Sequence, residues 1–216
     1  IDRSDKSKRD IYKSLNLASE FINNSILNNK SVWIAQKQGR SKDGNDHTDP
    51  SVLKMVHLCE RKETTLADHL NNLNIIPVSI SYEKDPNDLI KAKELYLTDL
   101  NKHYYKEPKE DLISIAEGIK GDKGNVHISI GSKMNFDSNS YDSCSNQISL
   151  MIKHLYKLHS TNYAAAIIQG KKNIENSHKP EKIDIAIQFL KDRVKLIPED
   201  MHPYFLNQYS NPINSK

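Results

Sequence analysis

The sequence predicts an α/β fold, in which a sheet is covered by helices on both faces. Three short apolar runs rich in β-branched residues recur along the chain, at residues 31–35, 75–82 and 125–130. Runs of this length and composition favour strands over helices, and segments of helical periodicity separate them. Strands that alternate with helices are typical of a sheet with helices packed on both sides.

Helical periodicity fills the intervals between these runs. Residues 4–28 predict an amphipathic helix, and its apolar positions recur at helical spacing: Ile11, Leu15, Ala18, Ile22 and Ile26. Shorter helical patterns follow at 51–61, 64–73, 88–103 and 109–120, the last ended by Gly121. From residue 149 to 168 the pattern is again helical, and a further helix is predicted at 182–196, ended by Pro198. We expect the tail at 203–216, which is aromatic and then rich in Asn, Ser and Pro, to fray.

Composition restricts the classes of function. A chain of 216 residues can bury one sizeable core, and its net charge of +3, with acidic and basic residues interspersed, argues against a general polyanion binder. Nucleic acid is a disfavoured partner because aromatic and basic residues do not interleave on one face. Cys59 and Cys144 lie far apart, which predicts neither a disulfide framework nor a zinc site and favours a reducing, cytoplasmic setting.

The segment after the first apolar run is a basic loop with two glycines. Gly39 and Gly44 allow tight turns and a close approach of the backbone to a ligand. Between them, Arg40 offers a planar fork of donors and Lys42 a mobile charge, both suited to phosphate oxygens. Asp49 then predicts a helix N-cap, with Pro50 in the first turn. The segment is therefore a candidate anion site; the alternative is a solvated connection between a strand and a helix.

Read together, several blocks of the chain are similar to motifs of one family. Gln38-Gly39-Arg40-Ser41-Lys42 resembles an acidic-Gly-(x)-Arg-Ser block, and Ile76-Pro77-Val78, followed by Tyr82-Glu83, resembles a strand with an Ile-Pro-Val centre. Ile1-Asp2-Arg3 resembles the tail of a Phe-Ile-x-Arg-like segment. These blocks occur in the same order in the glycerolipid acyltransferases, which acylate glycerol-3-phosphate and lysophosphatidate. A later stretch, residues 124–131, is similar to a further strand of those enzymes.

The resemblance implies a fold and an activity. The fold is a mixed, largely parallel sheet wrapped by helices over residues 1–142, with a C-terminal helical annex at 143–216. The activity moves a fatty acyl group from acyl-CoA or acyl carrier protein, as co-substrate, to a glycerol-3-phosphate-type acceptor in phospholipid biosynthesis. It requires no cofactor or metal and allows a peripheral contact with the inner face of a membrane. The implied substrate-binding residues are Arg3, Gln38, Gly39, Arg40, Ser41, Lys42 and Pro77.

The family's catalytic base is missing from this chain. The family uses a His-x-x-x-x-Asp pair, and no histidine here has an aspartate five positions later. His47 and Asp49 are too close in sequence to reproduce it and are expected to be turn residues, with a base or metal role as the alternative. We therefore expect the pair upstream of Ile1, and no acyl transfer by these 216 residues alone.

Gln38 is a second departure, because the family usually has a glutamate before the glycine. A catalytically inactive relative that binds a phospholipid head group or acyl carrier protein is therefore an alternative. The enzyme hypothesis further predicts that Arg3 and Arg40 converge on one phosphate with Lys42 nearby. It also predicts that residues 31–35 and 75–82 are neighbouring strands whose C-terminal ends lie at one edge of the sheet.

Overall fold

The structure is a computed structural model that describes residues 7–37, 39, 41–101, 103–171 and 182–214. Two strands occur in these residues, β1 (Val78–Tyr82) and β2 (Val126–Ile130). A 3-10 helix at Glu199–Met201 precedes the last α-helix. The α-helices are α1 (Lys8–Leu27), α2 (Pro50–Val56), α3 (Leu66–Asn72), α4 (Asp88–Asn101), α5 (Glu110–Lys120), α6 (Tyr141–Leu155), α7 (Ser160–Ile168), α8 (Ile183–Val194) and α9 (His202–Asn214).

The predicted fold class is wrong. The described chain is mostly helical, and its strands form one two-stranded sheet rather than a largely parallel sheet wrapped by helices. The two strands are antiparallel: the Glu83 amide donates to the Asn125 carbonyl at 2.9 Å, and the Gly131 amide donates to the Pro77 carbonyl at 2.9 Å. Residues 31–35 are irregular, so the prediction that they form a strand beside 75–82 is also wrong.

Packing divides the chain into two compact units, each made of three stretches. The first unit comprises residues 1–40, 47–78 and 130–152, and the second comprises 41–46, 79–129 and 153–216. These units are defined by spatial contacts alone. The division between an acyltransferase domain ending at 142 and a helical extension beginning at 143 stays a prediction.

The first unit is built from α1, α2, α3 and α6 around an aliphatic core. Leu70 is fully buried and Leu53 nearly so, and Cys144, a free thiol, lies in the same cluster. The side chain of Ser19, buried on α1, donates to the Val56 carbonyl at 2.9 Å and accepts from the Cys59 amide at 3.0 Å. This hydroxyl therefore fixes α1 to the end of α2 with both of its hydrogen-bonding functions used.

The second unit packs α4, α7, α8 and α9 closely together. Three successive alanines of α7, Ala164, Ala165 and Ala166, are completely buried, as are Leu190 of α8 and Phe205 of α9. Small side chains on α7 allow the neighbouring helix backbones to approach closely, and the large side chains of α8 and α9 fill the space that remains. The unit is thus a helical core in which small residues on α7 are matched by large residues on α8 and α9.

Strand β1 buries its polar side chains and exposes its large apolar ones. Its serines Ser79 and Ser81 are buried, whereas Ile80 and Tyr82 are exposed. The buried face is satisfied by hydrogen bonds: Ser81 Oγ lies 3.1 Å from His159 Nε2 at the start of α7, and the Thr161 hydroxyl donates to the Glu83 carbonyl at 2.5 Å. α7 therefore covers the polar side of the strand.

Candidate functional site

The base of the basic loop is closed within the first unit. The Asp49 amide donates to the Gln36 carbonyl at 2.8 Å, and the Thr48 hydroxyl donates to the Gln36 side-chain oxygen at 3.1 Å. The Thr48 amide in turn donates to the Ser149 hydroxyl of α6 at 2.8 Å. The two ends of the loop are therefore held together before α2 begins.

The predicted start of α2 is confirmed. The Asp49 side chain accepts a hydrogen bond from the Ser51 amide at 2.8 Å, and Pro50 is the first residue of the helix. A carboxylate cap satisfies a backbone donor that the helix leaves without a partner, and proline tolerates this position because its missing N–H would have had no helical acceptor.

Both loop glycines have a positive φ, as their proposed role requires. Gly39 has φ +78° and is open to solvent, so its requirement is conformational rather than steric. Gly44 has φ +74°, and a Cβ there would lie 2.3 Å from the backbone oxygen of Gln208 in α9. The Asn211 side chain donates to the Asp43 carbonyl at 2.8 Å. In the second unit, residues 43 and 44 are thus fixed against α9.

Lys42 has a partner that the sequence analysis missed. Its ammonium lies 2.5 Å from Glu94 Oε1 on α4, and the Glu94 side chain is only 8% exposed. Burying a carboxylate is costly unless it is paired, so Lys42 compensates Glu94 rather than standing free for a ligand. Apolar residues four positions before and three positions after Glu94 indicate a helix face that can point inward. Because the rest of the helix is rich in charged residues, the sequence alone favours a solvent-exposed Glu94.

The remaining predicted site residues divide into two groups. The Ser41 hydroxyl is buried and has no hydrogen-bond partner among the described residues. Pro77 is buried in the first unit directly before β1, where its carbonyl accepts from the Gly131 amide and it has no N–H to donate in return. Arg3, Gln38 and Arg40 lie outside the described residues. The convergence of the two arginines on one phosphate therefore stays a prediction.

An apolar cleft of about 730 Å³ opens in the first unit. Its floor comes from α1, α2 and α6, and its walls from residues 30–36 and 73–78, which include Pro77. Trp33, the only tryptophan of the sequence, lies on one wall and is 73% exposed. A cleft of this size falls within the usual range for ligand pockets.

Three buried histidines have structural partners. His57 Nδ1 lies 3.0 Å from the Tyr141 hydroxyl and its Nε2 lies 3.1 Å from the Thr64 carbonyl, while His69 Nε2 lies 3.2 Å from the Val56 carbonyl. Burial lowers the pKa of His69 and of His159, although hydrogen bonds to the backbone of Val56 and to Ser81 act in the opposite direction. Each of these imidazoles is buried and has at least one hydrogen-bond partner within its own unit.

Asp88 is the centre of a buried polar network in the second unit. It accepts hydrogen bonds from Arg193, from the Tyr209 hydroxyl at 2.8 Å and from the Leu89 amide at 2.7 Å. Burial raises the pKa of Asp88 and the Arg193 hydrogen bonds oppose that rise; for Arg193, burial is outweighed by Asp88, which raises the guanidinium pKa. We interpret the pair as ionised and structural.

Comparison of the chain with protein-family models, with curated proteins and with solved structures found no match. Among the described residues, no group of three or more metal-ligating side chains comes together. No helix in the described ranges combines the length and the apolar composition that crossing a membrane requires.

Proposed function

We propose that this chain is the acceptor-binding part of an acyltransferase, which moves a fatty acyl group from acyl-CoA or acyl carrier protein to a glycerol-3-phosphate-type acceptor. The Gly39–Lys42 segment is the proposed phosphate-binding element. The enzyme is proposed to act in the cytoplasm, in peripheral contact with the inner face of the membrane. Phospholipid biosynthesis is the corresponding pathway class.

One observation carries this proposal: a basic loop closed at its base, with glycines in positive-φ conformations at 39 and 44. Such a backbone can present N–H groups to an anion, and the buried Ser41 hydroxyl offers a donor without another partner among the described residues. Arg40 supplies the bidentate charge in the proposal. Lys42 has a supporting role, because Glu94 already compensates its charge.

The chemistry needs a general base in addition. The acceptor hydroxyl oxygen attacks the thioester carbonyl carbon, the C–S bond breaks, and the hydroxyl proton passes through the base to the leaving thiolate. The proposal assigns the acceptor's phosphate, and not this base, to the 216 residues, because no histidine in the sequence has an aspartate five positions later as the family's pair requires.

A second candidate is a catalytically inactive relative that binds a phospholipid head group or acyl carrier protein. Gln38 in place of the family's acidic residue favours it, because a neutral amide cannot provide the charge of a carboxylate. The two candidates share the phosphate-binding loop and differ only in turnover.

The test measures acyl transfer to lysophosphatidate and glycerol-3-phosphate by the full-length gene product, together with binding of the same acceptors to it. Arg40→Ala should weaken acceptor binding roughly tenfold to a hundredfold, which corresponds to about 1.5–3 kcal/mol for a charge-assisted contact. Arg40→Lys should recover part of the loss, because the ammonium keeps the charge without the fork.

Lys13→Ala is the control, since Lys13 is an exposed charge on α1. Equal and small effects of Arg40→Ala and Lys13→Ala would contradict the loop assignment. Acceptor binding that depends on Arg40 but occurs without turnover would favour the inactive relative.

A further inference from the structure

The cleft in the first unit is lined on two sides by stretches that are irregular or lie at the start of β1. One wall is residues 31–36 and the other is residues 73–78. Among the described residues that line the cleft, Lys30 is the single charged one, and most of the others are apolar.

The main chain of residues 31–35 has no hydrogen-bond partner among the described residues. Val32, Trp33 and Ile34 are typical strand residues, yet Trp33 and Ile34 are exposed. Backbone N–H and C=O groups are strong hydrogen-bonding functions, and on this exposed segment they are available to water or to a ligand. The segment has the composition of a strand and lacks the neighbour that would make it one.

The opposite wall has a free strand edge. Pro77 and Gly131 lie opposite each other as a pair of the antiparallel ladder, joined by the one bond from the Gly131 amide to the Pro77 carbonyl. Residues on either side of such a pair direct their backbone groups away from the partner strand. Ile76, just before β1, and Val78 therefore present N–H and C=O groups at an edge of the sheet that no third strand among the described residues covers.

We propose that the cleft binds an extended apolar segment of a partner polypeptide, which adds as a β-strand along the free edge at Ile76 and Val78 and pairs with residues 31–35. An added strand satisfies the unpaired backbone groups and covers Trp33 and Ile34 at the same time. Addition of a strand to an exposed edge is an established mode of peptide recognition. This proposal does not depend on the acyltransferase assignment.

The unpaired backbone decides between a peptide and an acyl chain. An acyl chain could cover the apolar side chains of the cleft, but it has no groups with which to pair the main chain of residues 31–35 or the edge at Ile76. A strand has both, in the spacing that a sheet requires. Its expected sequence is short and rich in β-branched residues, without charges, because the lining has one charged residue.

The experiment uses the intact chain and three probes. They are an end-capped peptide of alternating valine and threonine, the same peptide methylated on every backbone nitrogen, and palmitate. Emission of Trp33, the only tryptophan, reports occupancy of the cleft. Hydrogen exchange measures protection of the amides of residues 31–36 and of Ile76 and Val78.

The unmethylated peptide should shift the emission to shorter wavelength and slow exchange at those amides. Methylation should weaken binding about tenfold or more, because several backbone hydrogen bonds are lost together. Ile34→Asp should also weaken binding, whereas Ile113→Asp on α5 should not, since Ile113 has comparable exposure and lies outside the cleft lining.

Three results would overturn the proposal. They are equal binding of the two peptides, absence of peptide binding at millimolar concentration, and a response of Trp33 to palmitate alone. The last result would identify the cleft as a lipid site. Because none of them involves the loop at Gly39–Lys42, the acyltransferase assignment is tested separately.

Discussion

The interiors of the two units are stabilised by different kinds of contact. In the first unit, large aliphatic side chains such as Leu53 and Leu70 form the core, and one side opens into the apolar cleft. In the second unit, the alanines of α7 bring helices close together, and the fully buried Asp88 pairs with the partly exposed Arg193, which links α4 to α8. The first interior depends mainly on apolar burial, and the second also on a charge that must be compensated.

This difference determines how each unit responds to change. Apolar contacts are non-directional, so a core of this kind tolerates repacking and can leave a cleft at its margin. A buried ion pair is directional and costly to break, so it fixes the relation of the helices that carry it. We therefore expect the most severe single substitution in the second unit to involve charge, and in the first unit to involve volume.

Replacement of Asp88 by alanine should have the largest effect on stability. The change leaves Arg193 without its carboxylate and Tyr209 without its acceptor, which should lower the free energy of unfolding by about 3–5 kcal/mol. Asp99→Ala on the same helix is the matched control, because Asp99 is exposed and accepts from Tyr204 at 2.6 Å. Chemical denaturation measures both, and a similar small loss for the two variants would show that the buried pair contributes little.

Leu70→Ala should have the next largest effect and lower the free energy of unfolding by about 2–5 kcal/mol, because apolar burial is lost and a cavity remains. Leu70 is fully buried in the first unit, and Leu17→Ala provides the control because Leu17 on α1 is 68% exposed. Hydrogen exchange should show faster opening of α2, α3 and α6 in the Leu70 variant. A loss below about 0.5 kcal/mol, the usual range for surface changes, would mean that the core repacks around the missing methyl groups.

Acidification should destabilise the second unit through His159. Burial holds the pKa of this imidazole below the ordinary value of about 6.5, so the unfolded chain takes up a proton first as the pH falls. The contribution of His159 to the free energy of unfolding is fully present above that pH. Below it, the free energy of unfolding decreases by no more than about 1.4 kcal/mol per pH unit for one group. Denaturation across this pH range should show a smaller dependence in His159→Gln than in the native protein.

The control is His154→Gln, an exposed histidine five residues earlier. If His154→Gln removes as much of the pH dependence as His159→Gln, the burial of His159 is not its source. His69 in the first unit has a pKa lowered for the same reason, and it should leave a residual dependence in both variants.

The smallest expected effect on stability comes from comparing a substitution in strand β1 with one in the irregular segment 31–35. Ile34 and Ile80 are exposed to similar extents, 45% and 38%, and both can be changed to threonine. Ile80 faces Ile128 across the antiparallel pair, in the register set by Glu83 and Asn125, so Ile80→Thr should cost about 0.2–1 kcal/mol. Ile34→Thr should be neutral within about 0.5 kcal/mol, since no described residue pairs with its backbone. Equal losses would mean that residues 31–35 are more tightly packed than their exposure indicates.

Local signals in the sequence determined several helices and some of their ends, but the expected fraying of residues 203–216 is wrong, because α9 (His202–Asn214) buries Phe205 and Tyr209. Asp49 caps α2 and Pro50 opens it, Gly121 follows the last residue of α5, and the apolar spacing of residues 4–28 corresponds to α1. Such features act over three or four residues, so the chain specifies them without knowledge of the fold. Positive φ at Gly39 and Gly44 was foreseeable for the same reason, because glycine adopts this conformation at little cost.

Only the tertiary structure decided which strand-like runs became strands and which charges met. Residues 31–35 and 78–82 have similar apolar composition, yet a strand forms only where β2 supplies hydrogen-bond partners, and no local pattern encodes that pairing. The partner of Lys42 is Glu94 and that of Arg193 is Asp88, across sequence separations of 52 and 105 residues. Contacts at such distances depend on how the helices pack, so the availability of Lys42 for a phosphate could not be judged from the loop itself.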